Sequence, residues 1–156
     1  MQVFTLDDDA LREGLASDLA SGTAAHVELV RRAAEVARAM ADAGIVTFVP
    51  IALPTAEERA RVRRTMGHTQ YLEVHVEAPD YECAERDPRG LYARVRAGEL
   101  ADVPGVDGPF DPPALADFTV DTSLYGVDAC AEALLGELAR RGALWKSLSF
   151  VAGDGI

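Results

Sequence analysis

Basic charge and lysine are what this chain has least of. Fifteen Lys and Arg residues stand against 26 Asp and Glu, a formal net charge of −11, and Lys146 is the single lysine. A field of that sign repels nucleic-acid phosphates and anionic membrane surfaces, so neither is expected as a partner. An anionic small molecule would have to be held by a local arrangement of arginines. Cysteine is also scarce. Cys83 and Cys130 are far apart, with no CxxC or Cys/His cluster near either and no secretory signal pattern before them, which fits a reduced, cytoplasmic setting. His26, His68 and His75 are scattered, so no metal cage is expected. The most apolar run, Ala43 to Pro54, is about a dozen residues, short of the ~20 that a membrane span needs. Ser147 and Ser149 lack a Gly-x-Ser-x-Gly elbow, which removes the usual serine hydrolase signature.

What is present describes one folded domain. Hydrophobic residues at 49% and charged residues at 26% match ordinary globular usage, and 156 residues suit a single unit spanning 1–156. Gln2 to Leu6 reads as a short strand stopped by Asp7, Asp8 and Asp9. From Ala24 to Ala43, Val27, Val30, Ala34, Ala37 and Ala41 recur at helical spacing. Ile45 to Val49 reads as a β-branched strand. Thr55 to Met66 reads as a charged helix whose Arg59, Arg61, Arg63 and Arg64 could form an anion patch but read more simply as a solvated face paired with Glu57 and Glu58. Tyr71 to Val76 and Phe118 to Val120 are further strands, and Val127 to Leu138 is a final amphipathic helix. Alternating strands and helices predict an α/β fold with three layers and a mostly parallel sheet. Residues 87–113 are rich in Gly and Pro and suggest a lid. Ligands in such sheets bind beyond the carboxyl ends of the strands, which draws attention to Asp7, Asp9 and Thr122.

The ordered motifs go further. Leu6-Asp7-x-Asp9-x-Leu11-Arg12-x-Gly14-Leu15-x-x-Asp18-Leu19 is followed by Arg31-Arg32-x-x-Glu35-Val36-Ala37. Downstream come Glu73-Val74-x-Val76-x-Ala78-Pro79, Cys83-x-Glu85-Arg86-Asp87-x-Arg89-Gly90-Leu91-Tyr92, Arg96-Ala97-Gly98-Glu99 and Gly105-x-Asp107. This succession, from about Val3 to Arg141, resembles the adenylylsulfate kinases. The resemblance implies a P-loop kinase fold that moves the γ-phosphate of ATP to the 3′-hydroxyl of adenylylsulfate with Mg²⁺. It places Asp7 and Asp9 at the catalytic position and assigns Arg12, Arg89 and Asp107 to the substrate. Arg86, facing adenine, and Thr122 go to the nucleotide. Arg89 stands where the family has lysine. Family members are commonly dimeric, so a homodimer or a protein partner is expected.

The departures weigh as much as the matches. No Gly-x-x-x-x-Gly-Lys-Ser/Thr run occurs in the sequence, although backbone N–H groups of that loop cradle the phosphates in P-loop enzymes. The chain opens where the family's second strand opens. Without the canonical first strand the centre of the sheet is expected to carry two unpaired edges, and residues 144–151 are the candidate to replace it. Other contacts change too: Ala25-His26-Val27-Glu28-Leu29 replaces Asp-Arg-x-Glu-Asn, Ala52-Leu53-Pro54 replaces Ile-Ser-Pro, Ser21 replaces a stacking phenylalanine, and Val103-Pro104 replaces Phe-Thr. Each lost charge-assisted hydrogen bond is worth ~1.5–3 kcal/mol and each lost stack ~0.5–1.5 kcal/mol. Three readings follow. The chain is a degenerate family member that is not an efficient kinase and binds a nucleotide or a partner; or an enzyme with altered chemistry on another small anion; or a fragment of a genuine adenylylsulfate kinase. Mg²⁺ and ATP are expected only if the family activity is retained.

Overall fold

The computed structural model describes residues 2–20, 22–67 and 71–143. Strand β1, Val3–Thr5, runs parallel to β2, Val46–Phe48, with Val3 opposite Val46 and Thr5 opposite Phe48. Between them lie α1, Asp8–Glu13, and the 20-residue α2, Thr23–Asp42. The acidic run that stops β1 is the start of a helix. Asp7 is its N-cap, with Oδ1 accepting the Asp9 N–H at 2.8 Å, and Asp8 and Asp9 sit in the first turn, where the helix dipole favours negative charge. α2 follows its sequence pattern: Leu29, Val30, Ala33, Ala34 and Ala37 are buried at helical spacing. Leu29 and Ala33 close a core with Leu6, Leu11 and Ala16.

Helix α3, Ala56–Met66, packs against α2 and begins at a capping box in which Thr55 and Glu58 exchange bonds: the Glu58 N–H donates to Thr55 Oγ1 at 3.2 Å, and the Thr55 N–H to Glu58 Oε2 at 3.1 Å. The expected solvated arginine face needs correction. Arg61 pairs outward with Glu57, but Glu58 is consumed by the cap, and Arg59 and Arg63 turn inward to acids on distant segments. Sequence spacing along one helix cannot register carboxylates that arrive from elsewhere.

Strand β3, Val74–Glu77, pairs in parallel with β4, Phe118–Asp121, and α6, Val127–Arg140, packs on β4. Two short helices, α4, Asp80–Arg86, and α5, Leu91–Arg96, occupy a region the sequence leaves as punctuation and lid. Neither buries a residue, so neither carries an apolar stripe for periodicity to reveal.

The strands are parallel, as the sequence predicts, but they form two two-stranded sheets rather than one. Phe118 and Thr122 donate to the carbonyls of Glu73 and Glu77, so Val74 and Val76 turn their own backbone groups away from β4. Likewise Val46 and Phe48 bond toward β1, leaving Thr47 on the opposite side. Among the described residues no strand covers either edge. The suggestion that 144–151 fills this place falls outside the described residues.

Arginines tie the second sheet to α3. Arg63 Nη2 donates to Asp117 Oδ2 at 2.6 Å and to Glu73 Oε2 at 3.1 Å, while its guanidinium lies 4.9 Å from the centre of the Tyr71 ring. Arg59 stands 3.6 Å from Glu73. Burial raises the Asp117 carboxyl, but the Arg63 hydrogen bond and the Glu73 N–H outweigh it and leave the group below the ordinary range. Burial, with Glu73 adding to it, pushes the Tyr71 hydroxyl up to about 12.

Candidate functional site

The residues that sequence reasoning singled out follow three strands, and the structure joins them in two pairs. After β1, the three consecutive carboxylates have separate partners. Asp7 is occupied by the Asp9 N–H; Asp8 holds Arg12 one turn along at 3.2 Å; Asp9 reaches out of the turn to Arg89, 3.0 Å away. Asp9 and Arg89 are thus brought together across 80 positions of chain, while Arg12 is turned onto its own helix.

The second pair joins Arg86, the last residue of α4, to Thr122, just past β4. Arg86 Nη1 donates to Thr122 Oγ1 at 3.0 Å and Nη2 to the Thr122 carbonyl at 2.9 Å. Thr122 is itself fixed by its N–H and hydroxyl, which donate to the Glu77 carbonyl at 2.9 and 3.2 Å. Glu82, which the sequence reading passed over, completes the clamp from one turn earlier, accepting from Arg86 Nη2 at 2.6 Å. Its i,i+4 spacing from Arg86 was the available signal. Beside this pair, Ser123 donates its hydroxyl and N–H to Asp121 and lowers that carboxyl.

Between the pairs runs the bend that carries Arg89. Asp87 anchors its far side, accepting the Tyr92 N–H at 3.2 Å and the Ala93 N–H at 3.1 Å, and Gly90 takes a left-handed φ of 66°. Asp107 has a local role: its carboxylate accepts the N–H groups of Asp102 and Val103 and closes the 102–108 loop. Only glycine fits at 108, since a Cβ there would come within 2.8 Å of the Asp102 carbonyl carbon. Asp107 is therefore placed on a different loop from both pairs.

A further anchor lies beside α1. Arg32 on α2 grips Asp18 at 2.5 and 2.9 Å, the Leu15 carbonyl at 2.8 Å and Glu28 at 3.0 Å, holding the loop after α1 against α2. Hydrogen bonds from Arg31 and then Arg32 bring the Glu28 carboxyl down to about 2. His26 meets the Ala52 carbonyl at 2.9 Å, and His75 stacks on Phe110; Ser21 and His68 lie outside the described residues. Among the described residues no three His, Cys, Asp or Glu side chains gather as a metal cage, and no helix is long and apolar enough to cross a membrane. A concavity of about 300 Å³ lies elsewhere, between α3 and residues 113–117, and its Arg59 and Arg63 are matched by Glu73 and Asp117.

Comparison with known proteins now bears on this arrangement. The model of the family described as adenylylsulphate kinase matches residues 1–121. The chain belongs to the adenylylsulphate kinase family. It is 42% identical over 136 residues to an adenylyl-sulfate kinase of Shewanella pealeana, covering 87% of this chain and 66% of that protein. An adenylyl-sulfate kinase of Marinobacter nauticus is 38% identical over 138 residues, covering 88% of this chain and 69% of the relative. The chain thus spans about two thirds of the length of the curated relatives it matches. Among solved structures, the Mycobacterium tuberculosis APS kinase CysC in complex with AMPPNP and APS superimposes with a TM-score of 0.79 at 35% identity, over 89% of this chain and 81% of that one. The α/β fold and its P-loop kinase relationship are therefore as the sequence resemblance implied.

Proposed function

We propose that this adenylylsulfate kinase-like chain binds a nucleotide or related oxyanion ligand through Arg86, Arg89 and Thr122, and that the 156 residues alone are not an efficient ATP-dependent kinase. The observation that carries the reading is the clamp of Arg86 on Thr122 together with the pairing of Asp9 with Arg89, three positions along the chain from Arg86, in a sequence that contains no glycine-rich phosphate cradle. Phosphoryl transfer is catalysed almost wholly by positioning and charge stabilisation, and the P-loop supplies much of both. A neighbour solved with AMPPNP and APS supports the ligand class.

Of the acids after β1, Asp9 is the one paired with an arginine that could face an anion, whereas Asp7 caps its helix and Arg12 is bound to Asp8. Asp107 would act on the substrate only through the loop it closes. Among the described residues no three His, Cys, Asp or Glu side chains form a metal cage; Asp7 is engaged with the Asp9 N–H and Asp9 with Arg89, so magnesium would have to be held with the ligand's own phosphates. No step is routed through a metal. Residues 87–113, with α5 inside them, serve as the lid of a single domain. Calorimetric titration with ADP, ATP and adenylylsulfate tests the reading. Micromolar to millimolar binding of at least one, lost in Arg86→Ala, supports it; no heat with any of the three overturns it.

A second reading is favoured by a specific observation. Val3, Phe4 and Val76, all on strands, are 50, 47 and 62% exposed, and among the described residues no strand pairs with the second edge of β2 or of β3. Strands of a doubly covered parallel sheet are normally buried on both faces. A strand with its phosphate loop, set between β2 and β3, would complete both the sheet and a kinase. Reading the coding DNA upstream of Met1 tests this: an in-frame Gly-x-x-x-x-Gly-Lys-Ser/Thr run makes a fragment of an adenylylsulfate kinase the leading account, and its absence removes that reading.

A further inference from the structure

The ion pair between Asp9 and Arg89 differs from every other contact made by the site residues. Arg86 is held by three hydrogen bonds to Glu82 and Thr122, and Arg12 lies along its own helix. Arg89 instead bridges α1 to the bend before α5 by a single 3.0 Å contact, with both side chains largely in solvent, 58 and 63% exposed. An ion pair so exposed contributes ~0–1 kcal/mol. A phosphate or sulfate group offers a guanidinium more acceptor oxygens than one carboxylate and carries at least as much charge, so it displaces such a partner readily.

The backbone around Arg89 suits a side chain that changes partner. Asp87 fixes the first turn of α5 from behind, the Gly90 N–H closes a turn onto the Asp87 carbonyl at 3.0 Å, and Gly90 sits in the left-handed region. The bend is anchored while its arginine projects.

We infer that Asp9–Arg89 is a latch: in the unliganded chain Asp9 occupies Arg89, and an oxyanion ligand takes the guanidinium, releasing the Asp9 carboxylate in the same event. No bond is made or broken, only an ion pair exchanged. The inference rests on the proposed oxyanion-binding reading and adds to it that the acid and the arginine are alternatives for one another before binding. Asp9 therefore opposes the ligand it would later serve.

The consequence differs from a simple charge effect in its dependence on Arg89, not in its sign. Asp9→Asn removes the competitor and tightens binding, and this gain exists only while Arg89 is present. Pyrophosphate and ADP are titrated calorimetrically into wild type, Asp9→Asn, Arg89→Gln and the double variant at low ionic strength, with hydrogen exchange of residues 87–96 followed in each. The expected result is binding about twofold to fivefold tighter in Asp9→Asn, several-fold weaker in Arg89→Gln, and no gain from Asp9→Asn in the Arg89→Gln background. Exchange at 87–96 is expected to rise in unliganded Asp9→Asn. An equal gain in both backgrounds marks a general charge effect and overturns the latch. ADP binding that ignores Asp9 overturns the latch and leaves the nucleotide reading standing. No response to either ligand in wild type or Asp9→Asn overturns both.

Discussion

The two sheets are held by different forces. Around β1, α1, α2 and β2 the described residues close an apolar core, with Leu29 fully buried and Leu6, Leu11, Ala16 and Ala33 against it. Around β3, β4 and α6 few of the described apolar side chains are buried: Leu138 is one, whereas Val76, Leu124, Val127 and Leu135 are at least half exposed. What joins this half to α3 is charge, through Arg59, Arg63, Glu73, Asp117 and Arg141. Apolar burial tolerates a missing neighbour poorly but needs no exact geometry; an ion-pair network spans a seam yet depends on every member. The difference locates the weakness of the molecule at the seam between α3 and the second sheet.

Four experiments sharpen or break that contrast. Leu29→Ala should cost ~3–4 kcal/mol in urea denaturation, while Leu135→Ala, half exposed on α6, should cost below ~1 kcal/mol. Equal costs would remove the asymmetry. Asp117→Asn strips the shared partner from Arg63 and Arg141 and should cost ~2 kcal/mol, less than for a fully buried pair because both arginines reach solvent. Hydrogen exchange should show the loss concentrated in β3 and β4. Thr55→Ala removes half of the capping box and should cost ~1 kcal/mol, with exchange rising at the start of α3. The smallest effect is acid sensitivity of the α2 anchor. The folded Glu28 carboxyl lies near 2, below its ordinary 4.5, so its contribution is present above pH 4.5 and lost as pH falls toward 2. Circular dichroism should show a stability loss in that window that Glu28→Gln flattens.

Much of the fold was legible because it is written in local patterns. The α2 stripe, the Thr55 start of α3 and the β-branched strands are set by periodicity and caps. α1, α4 and α5 were not, because short helices with at most one buried residue have no apolar period. The inward turn of Arg59 and Arg63 was illegible for another reason: Glu73 and Asp117 reach them only once the chain has folded back. At the candidate site, the motifs singled out Asp9, Arg86, Arg89 and Thr122, and the structure places them in two pairs. Motifs did not disclose that Asp7 caps a helix, that Arg12 is spent on Asp8 or that Glu82 braces Arg86. A motif conveys which residues gather, and side-chain geometry decides which of them are free to act.

The central proposal, that these 156 residues bind a nucleotide without efficient phosphate transfer, is tested most directly by phosphate transfer. The purified 156-residue protein, shown to be folded, is incubated with adenylylsulfate, ATP and Mg²⁺, and 3′-phosphoadenylylsulfate formation is followed. The account predicts turnover indistinguishable from the protein-free reaction alongside measurable nucleotide binding. Sustained turnover of about 1 per second or more, in the range typical of kinases, would contradict it.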